Sequence, residues 1–241
     1  MGLSTAIVKR VGGRAAGPAI DEISNRFAVV TRGALDNVVK TRAAAIAADV
    51  DIFRLRRPGL DQAGLERALI RERARKGGLV GMASGLPSLV YGIGTGLEVA
   101  AAFGDASAVT YAEVSEILAI AHLRGRDLAD IESRRLDVLL TMGLATGAVK
   151  VKDGALYFGE RRLDPAGLED LPDEVIGVIN RDLADRVIMK FARRHAAVLA
   201  GRLMPLGIGV TVAGVEDFRS VGGVGRTARK YFDLVDAARV T

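Results

Sequence analysis

Apolar residues recur at three- and four-residue spacing along most of this chain, and each such stretch predicts a helix that buries one face. In the first, Ile20, Ile23, Phe27, Val30, Ala34 and Val38 form the stripe, and Pro18 stands at the start. Asp21 and Glu22 complement the positive end of the helix dipole. One long amphipathic helix is therefore expected from Pro18 to about Asp49. Arg54, Arg56, Arg57 and Pro58 interrupt it. A second helix is expected from Asp61, with Leu65, Ala68 and Leu69 inward and the basic cluster Arg71, Arg73, Arg75 and Lys76 at its far end.

The pattern then changes. Residues 77–97 read GGLVGMASGLPSLVYGIGTGL, twenty-one positions with no charge and seven glycines. A membrane-spanning helix needs about 20 apolar residues, so the length just qualifies. The composition does not, because each glycine costs roughly 0.8–1 kcal/mol of helix propensity and Pro87 interrupts the hydrogen-bond ladder. Gly77, Gly81 and Gly85 recur every four residues, which lines one helix face with hydrogens and admits a close neighbour.

Gly104 and Asp105 read as a helix end followed by an N-cap. Helices are expected next through Val109, Ile117 and Ile120 to Arg124, and from Asp127 through Ile131, Val138 and Leu139 to Met142. Strict alternation around Asp153-Gly154 predicts a small hairpin over roughly 148–158. Pro172, Asp173 and Glu174 open a long helix carrying Val175, Ile179, Leu183, Val187, Phe191 and Val198. A second charge-free run, Leu203 to Val215, is too short to span a bilayer as a helix. Gly222, Gly223 and Gly225 then precede a closing basic helix with Arg226, Arg229 and Lys230. The expected fold is mainly α: a single-domain helical bundle with Gly-rich, close-packed helices and one small β-hairpin near 148–158. Residues 1–58 would supply the amphipathic helix and a basic linker, packed as one unit with 59–241.

Composition narrows the function. With 49% hydrophobic and 26% charged residues among 241, the chain has the make-up of a globular protein and not of a disordered one. Its 29 glycines and 5% aromatics point to a core that gains from close backbone approach. The lack of cysteine removes disulfides, thiol nucleophiles, iron–sulfur clusters and Cys-based zinc sites. A formal charge of +5 suits an anionic partner. The N-terminal stretch MGLSTAIVKRVGG has no secretory apolar run and, with Ala at position 6, no myristoylation pattern, so its start reads as cytosolic.

Candidate chemistry is sparse. His122 and His195 stand far apart, each without a second ligand one helical turn away, so no metal site is expected. Gly92, Gly94 and Gly96 lack the strand context of a dinucleotide loop and the Lys-Ser/Thr of a phosphate loop, and Glu98 would repel a phosphate, so no cofactor is expected. Glu98, Asp105, Glu113 and Glu116 form an acidic series in an otherwise apolar to neutral region. Each must pair with an arginine from a basic helix, be protonated, or face water. Glu98, Asp105 and His122 are accordingly candidate buried polar groups. The basic clusters carry no interleaved aromatics and no reading helix, which argues against nucleic acid. Several flank the charge-free runs, where cations meet anionic headgroups if an apolar element dips into a bilayer. They suit equally well a solvated surface over a Gly-rich core.

Several motifs together resemble the bacterial EcsC family, named after a protein encoded beside an ABC transporter. They are RERARKGGLVGMASGLP at 71–87, AAFGDAS at 101–107, EILAIAHLRGRDL at 116–128 with Glu132 and Arg135 after it, and VGGVGRTARKYF at 221–232, with a basic helix before LMPLGIGV. The likeness covers roughly 60–235. It departs from the family at His122-Leu-Arg-Gly, where an aromatic usually precedes the glycine. The resemblance implies a mostly helical protein at the cytoplasmic membrane, with no catalytic set to carry over. The expectation is a non-enzymatic protein, peripheral to or partly inserted in the inner face of the membrane. It would bind anionic lipid, or a membrane-protein partner, through Arg71, Arg73, Arg75, Lys76, Gly77, Gly81, Gly85, Leu86, Leu89, Arg226, Arg229 and Lys230. A soluble protein-docking module is the alternative reading, and an enzyme the third.

Overall fold

A computed structural model describes residues 17–84, 95–202 and 209–240, with side chains described for 21–75, 107–195 and 220–240. The described chain is mainly helical: α1 (Gly17–Thr41), α2 (Ala43–Leu55), α3 (Gln62–Ser84), α4 (Thr95–Leu123), α5 (Ile131–Thr146), α6 (Asp173–Arg202) and α7 (Gly209–Val240). Between α5 and α6 lies a small antiparallel sheet of β1 (Lys150–Lys152), β2 (Ala155–Phe158) and β3 (Arg161–Leu163) in that order, followed by a short 3-10 turn, Pro165–Gly167.

One continuous core takes side chains from every helix, from Leu35 and Ile46 through Leu69 and Leu139 to Leu183 and Phe232. At its centre is α4, where Val114 and the run Ile117 to Ala121 are fully buried. Every residue from Glu113 to Ala121 is buried, the two glutamates included, and α4 is covered by α1, α2, α3, α5 and α7. The inward stripe of α1 is Ser24, Phe27, Thr31, Leu35 and Val38, whereas Val29 faces water.

Several boundaries differ from the sequence expectation. The predicted helix from Pro18 to Asp49 is two helices, with a bend between α1 and α2 at Arg42, whose φ of −108° and ψ of −7° lie at the edge of the right-handed helical region. The ladder brackets the bend, with Arg42 N donating to Val38 O (3.0 Å) and Ile46 N to Arg42 O (2.9 Å). α1 begins at Gly17, so Asp21 and Glu22 fall just past its first turn. The predicted stop at Gly104-Asp105 is absent, since α4 runs through both. Gly222, Gly223 and Gly225 lie inside α7, not before it. α5 starts at Ile131 rather than near Asp127, because the Asp130 carboxylate accepts from Ser133 N (2.6 Å) and caps it there. It ends on Gly147 in the left-handed region at φ 73°.

The turn at Asp153-Gly154 is as expected. Both residues have positive φ, 49° and 74°, which is the twist a two-residue hairpin requires. The hairpin continues into β3, paired Phe158 with Arg161, so the sheet has three strands instead of two. Arg161-Arg162-Leu163 lacks an alternating pattern, and its pairing is imposed by β2, whose Ala155, Leu156 and Phe158 plug into the core.

The helices pack with a consistent polarity. Gln62 Nε2 donates to Leu123 O (2.8 Å) and Arg73 Nη1 to Ser115 O (3.2 Å), so α3 and α4 are antiparallel. Ala74 packs on Gly222 and Ile70 on Gly225, so α3 and α7 are antiparallel too. Arg32 pairs with Asp185, and the Phe27 ring stacks at 6.4 Å on His195, which opposes α1 and α6. Asn180 reaches Glu132 O and Arg194 reaches Ala145 O, so α5 and α6 run parallel.

Candidate functional site

Glu113 of α4, Arg194 and His195 near the end of α6, and Ser220 of α7 line one cleft, so the C-terminal ends of α3 and α6 and the N-terminal ends of α4 and α7 all point to one end of the bundle. The connections at that end, 85–94 and 203–208, belong to the two charge-free runs of the sequence. Arg75 stands nine residues before Ser84 and Arg194 eight before Arg202. At 1.5 Å per residue both sit about 12–14 Å below their helix ends. Arg75, Arg193 and Arg194 are exposed there, and Arg71 is exposed about 6 Å further back along α3. Of these, Arg194 alone has a described protein partner, Ala145 O at 3.2 Å.

The bundle interior holds buried charges, the first of them toward the opposite end, near the start of α3 and the ends of α4 and α7. Glu66 of α3 is fully buried and is held by Arg124, whose guanidinium also reaches Asp233 (2.6 Å) and Asp236 (2.8 Å) on α7. Arg229 brings Nε to 3.0 Å from Glu66 Oε2, near enough for charge pairing though misaligned for a hydrogen bond. Burial alone would lower the pKa of Arg124, and Glu66, Asp233 and Asp236 together raise it, so the cation is fixed. Glu116 of α4 is likewise buried, with Arg73 Nε 3.6 Å away as its ion-pair partner and no hydrogen bond to either carboxylate oxygen. Burial pushes its pKa up to about 7 against the opposing pull of Arg73. Glu113, one turn earlier, accepts from Ser220 Oγ of α7.

A third buried group joins α5 to α7. Tyr231 donates to Asp137 Oδ1 (2.7 Å), and Arg126 approaches the same oxygen at 3.4 Å while pairing with Glu169 on its other side. Burial raises the pKa of Asp137, and Arg126 and Tyr231 oppose the rise. Burial also raises that of Tyr231, reinforced by Asp137. Arg134 is a structural cation whose guanidinium donates to Val39 O (2.6 Å), Leu128 O and Ala129 O, tying the end of α1 to the loop before α5.

Glu113, Ser220, His195 and Arg194 line a cleft of ≈ 130 Å³ between α4, α5, α6 and α7. His195 Nδ1 donates to Phe191 O (3.1 Å), and its ring packs on Phe191 at 4.1 Å. Among the described residues no three His, Cys, Asp or Glu side chains are arranged to hold a metal ion, and no helix is long and apolar enough to cross a membrane.

No family model, curated protein or solved structure matches this chain. The residues singled out in the sequence are therefore placed by the fold alone. Arg71, Arg75, Arg226 and Lys230 are exposed, whereas Arg73 and Arg229 turn inward to Glu116 and Glu66. His122 is half-buried, with Nε2 3.0 Å from Asp51 Oδ1 on α2. Gly85, Leu86 and Leu89 lie outside the described residues, as do the side chains of Lys76, Glu98 and Asp105 and the surroundings of Gly77 and Gly81. Glu66 and Asp137 had no distinguishing signal in the sequence. Their only mark is position, since each falls on the same face as its buried apolar neighbours, Leu69 and Leu140.

Proposed function

We propose that this chain is a membrane-associated helical protein that meets an anionic bilayer surface with the end of the bundle where α3, α4, α6 and α7 begin or terminate. The observation that supports this most directly is the convergence of the two helical hairpins. The helix ends that the two charge-free runs connect in sequence lie at the same end of the bundle, and exposed arginines on α3 and α6 stand about 12–14 Å behind the helix tips. A lipid-facing element is arranged that way, with apolar chain leading and cations at headgroup depth. The resemblance of residues 60–235 to the EcsC family agrees with this reading.

Flotation with vesicles tests it. Vesicles of phosphatidylglycerol and phosphatidylcholine should carry the full chain upward, and pure phosphatidylcholine should carry much less. Each Lys or Arg near an anionic surface contributes about 1 kcal/mol. Replacing Arg71 and Arg75 with Gln should therefore weaken binding roughly thirtyfold at low salt. High salt should weaken binding without abolishing it, because apolar insertion does not depend on charge. Leu86→Asp or Leu89→Asp should remove that salt-resistant part while circular dichroism stays unchanged. A folded, monodisperse sample that stays at the bottom of the gradient at low salt would rule the reading out. Unfolding by both substitutions would favour a soluble docking module whose core includes those leucines.

A further inference from the structure

A second cavity, of ≈ 310 Å³, opens on the other side of the molecule between α1, α5 and α6. This volume is at the small end of ligand cavities. Its apolar wall is Leu35, Leu139 and Ile188, all buried. Its polar residues are unevenly satisfied. Asp36 is taken by Arg135 Nη2 (2.9 Å), and Glu132 Oε2 accepts from Asn180 Nδ2 (2.8 Å), which also donates to Glu132 O (2.9 Å). Arg32 is drawn outward to Asp185. Three groups are left over: Asn180 Oδ1 and Arg135 Nε, both buried without a hydrogen-bond partner, and the guanidinium of Arg181, which has no carboxylate partner among the described residues.

Asn180 is itself 2% exposed, so its unpaired acceptor is a real deficit, and buried polar groups are nearly always satisfied. The deficits define a complement. Arg181 and the Arg135 donor call for an anion, the Asn180 oxygen calls for a donor, and the leucine and isoleucine wall calls for a compact apolar body. Gly177 of α6 lines the same cavity, and a β-carbon there would meet nothing within 4 Å, so the space beside it is open.

We infer that this cavity binds a small organic anion with an apolar body and one hydroxyl or amine donor, its carboxylate at Arg181 and Arg135 and its donor at Asn180 Oδ1. The site is separate from the lipid-facing end, and its occupancy does not depend on that reading.

Isothermal titration of the full chain with three related compounds tests each element. These are 4-hydroxyphenylacetate, phenylacetate without the hydroxyl, and neutral 4-hydroxyphenylacetamide. The first should bind saturably, and loss of either the charge or the hydroxyl should weaken binding at least tenfold. Arg181→Gln changes an exposed side chain and should weaken the acid by a similar factor while leaving the amide unaffected. Gly177→Leu should fill the cavity and abolish binding of all three with the melting temperature held or raised. No saturable binding of any compound at millimolar concentration, or binding that survives Gly177→Leu, would overturn the assignment.

Discussion

Oε1 of Glu116 lies 2.8 Å from the point that a β-carbon on Gly225 would occupy, and Ile70 Cγ1 lies 2.9 Å from it. Three helices meet there: α3 brings Ile70, α4 the carboxylate and α7 the bare backbone. The absence of a side chain at Gly225 lets a fully buried Glu116 fit between two helices while Arg73 approaches from one side. Close packing and buried charge are thus coupled at one crossing.

A methyl group at that crossing should therefore destabilise the bundle. Gly→Ala inside a helix gains about 1 kcal/mol of propensity, whereas overpacking a core costs roughly 1–3 kcal/mol. The neighbours at Gly225 include a core isoleucine that cannot swing away, so the cost should win. Gly225→Ala is expected to lose up to about 2 kcal/mol and to melt as much as roughly 4–8 °C lower. Gly177→Ala, in open space on α6, should instead gain about 0.5–1 kcal/mol. Paired thermal melts of the two variants read the contrast, and equal effects would show that Gly225 does not mark a close approach.

The pH dependence of stability has a definite sign. Burial raises the pKa of Glu116 from 4.5 to about 7 in the folded chain. Folding therefore favours its protonated form. The contribution is complete below pH 4.5 and is lost as the pH rises to about 7. Asp137, also raised by burial, adds in the same direction, and Asp130, lowered by its bond to Ser133, acts oppositely at more acidic pH. Glu116→Gln keeps the shape and removes the titration, so it should flatten the decline between pH 5 and 8. The expected difference is roughly 1–3 kcal/mol in urea-unfolding free energy between those pH values. Parallel wild-type and variant curves would place the ionisation elsewhere.

Residue spacing made most of the helical content legible, but it misread where helices stop. Gly104-Asp105 and Gly222 to Gly225 carry the composition of caps, yet α4 and α7 run through them. At Gly225 and Gly222 the reason is visible, because α3 packs where a side chain would have stood. The propensity cost is outweighed by tertiary contact. The Asp153-Gly154 turn was readable because its chemistry is local: a two-residue loop between twisted strands demands positive φ at both positions. The buried ion pairs were readable only in part. Glu116 could be anticipated as an acid in an apolar segment that must find an arginine, but its partner Arg73 is set by helix pairing, which spacing does not encode. Glu66 and Arg124 are separated by 58 positions, and only the antiparallel packing of α3 against α4 brings them together.

The same turn offers a local check. Gly154 sits at φ 74° with open space around its α-carbon, so an added methyl group meets no neighbour and only the backbone resists it. Gly154→Ala should cost about 1–2 kcal/mol, the penalty for an L-residue in the left-handed region. Asp153→Asn, which tolerates the same region, should be close to neutral. Urea unfolding distinguishes them, and equal losses would mean that the Asp153 carboxylate, not the turn geometry, is what matters.

The sharpest stability test concerns Arg124 and Glu66. Arg124 spreads its guanidinium over three carboxylates, and only Glu66 among them is fully buried, Asp233 and Asp236 being about half exposed. Solvent screens the two outer pairs, so most of the energy should reside in the inner one. Removing the arginine leaves a buried carboxylate with Arg229 as its one nearby cation and the Gln62 amide as a donor, and breaking a buried pair in this way costs roughly 3–5 kcal/mol. Arg124→Lys should recover little, because an ammonium cannot reproduce a planar fork directed at Glu66 and α7 at once. Glu66→Gln in the Arg124→Ala background should restore a substantial part of the loss, since an amide costs far less to bury than a lone carboxylate. A double-mutant cycle by urea unfolding gives the coupling directly, and a coupling below about 0.5 kcal/mol would mean that the two residues act independently.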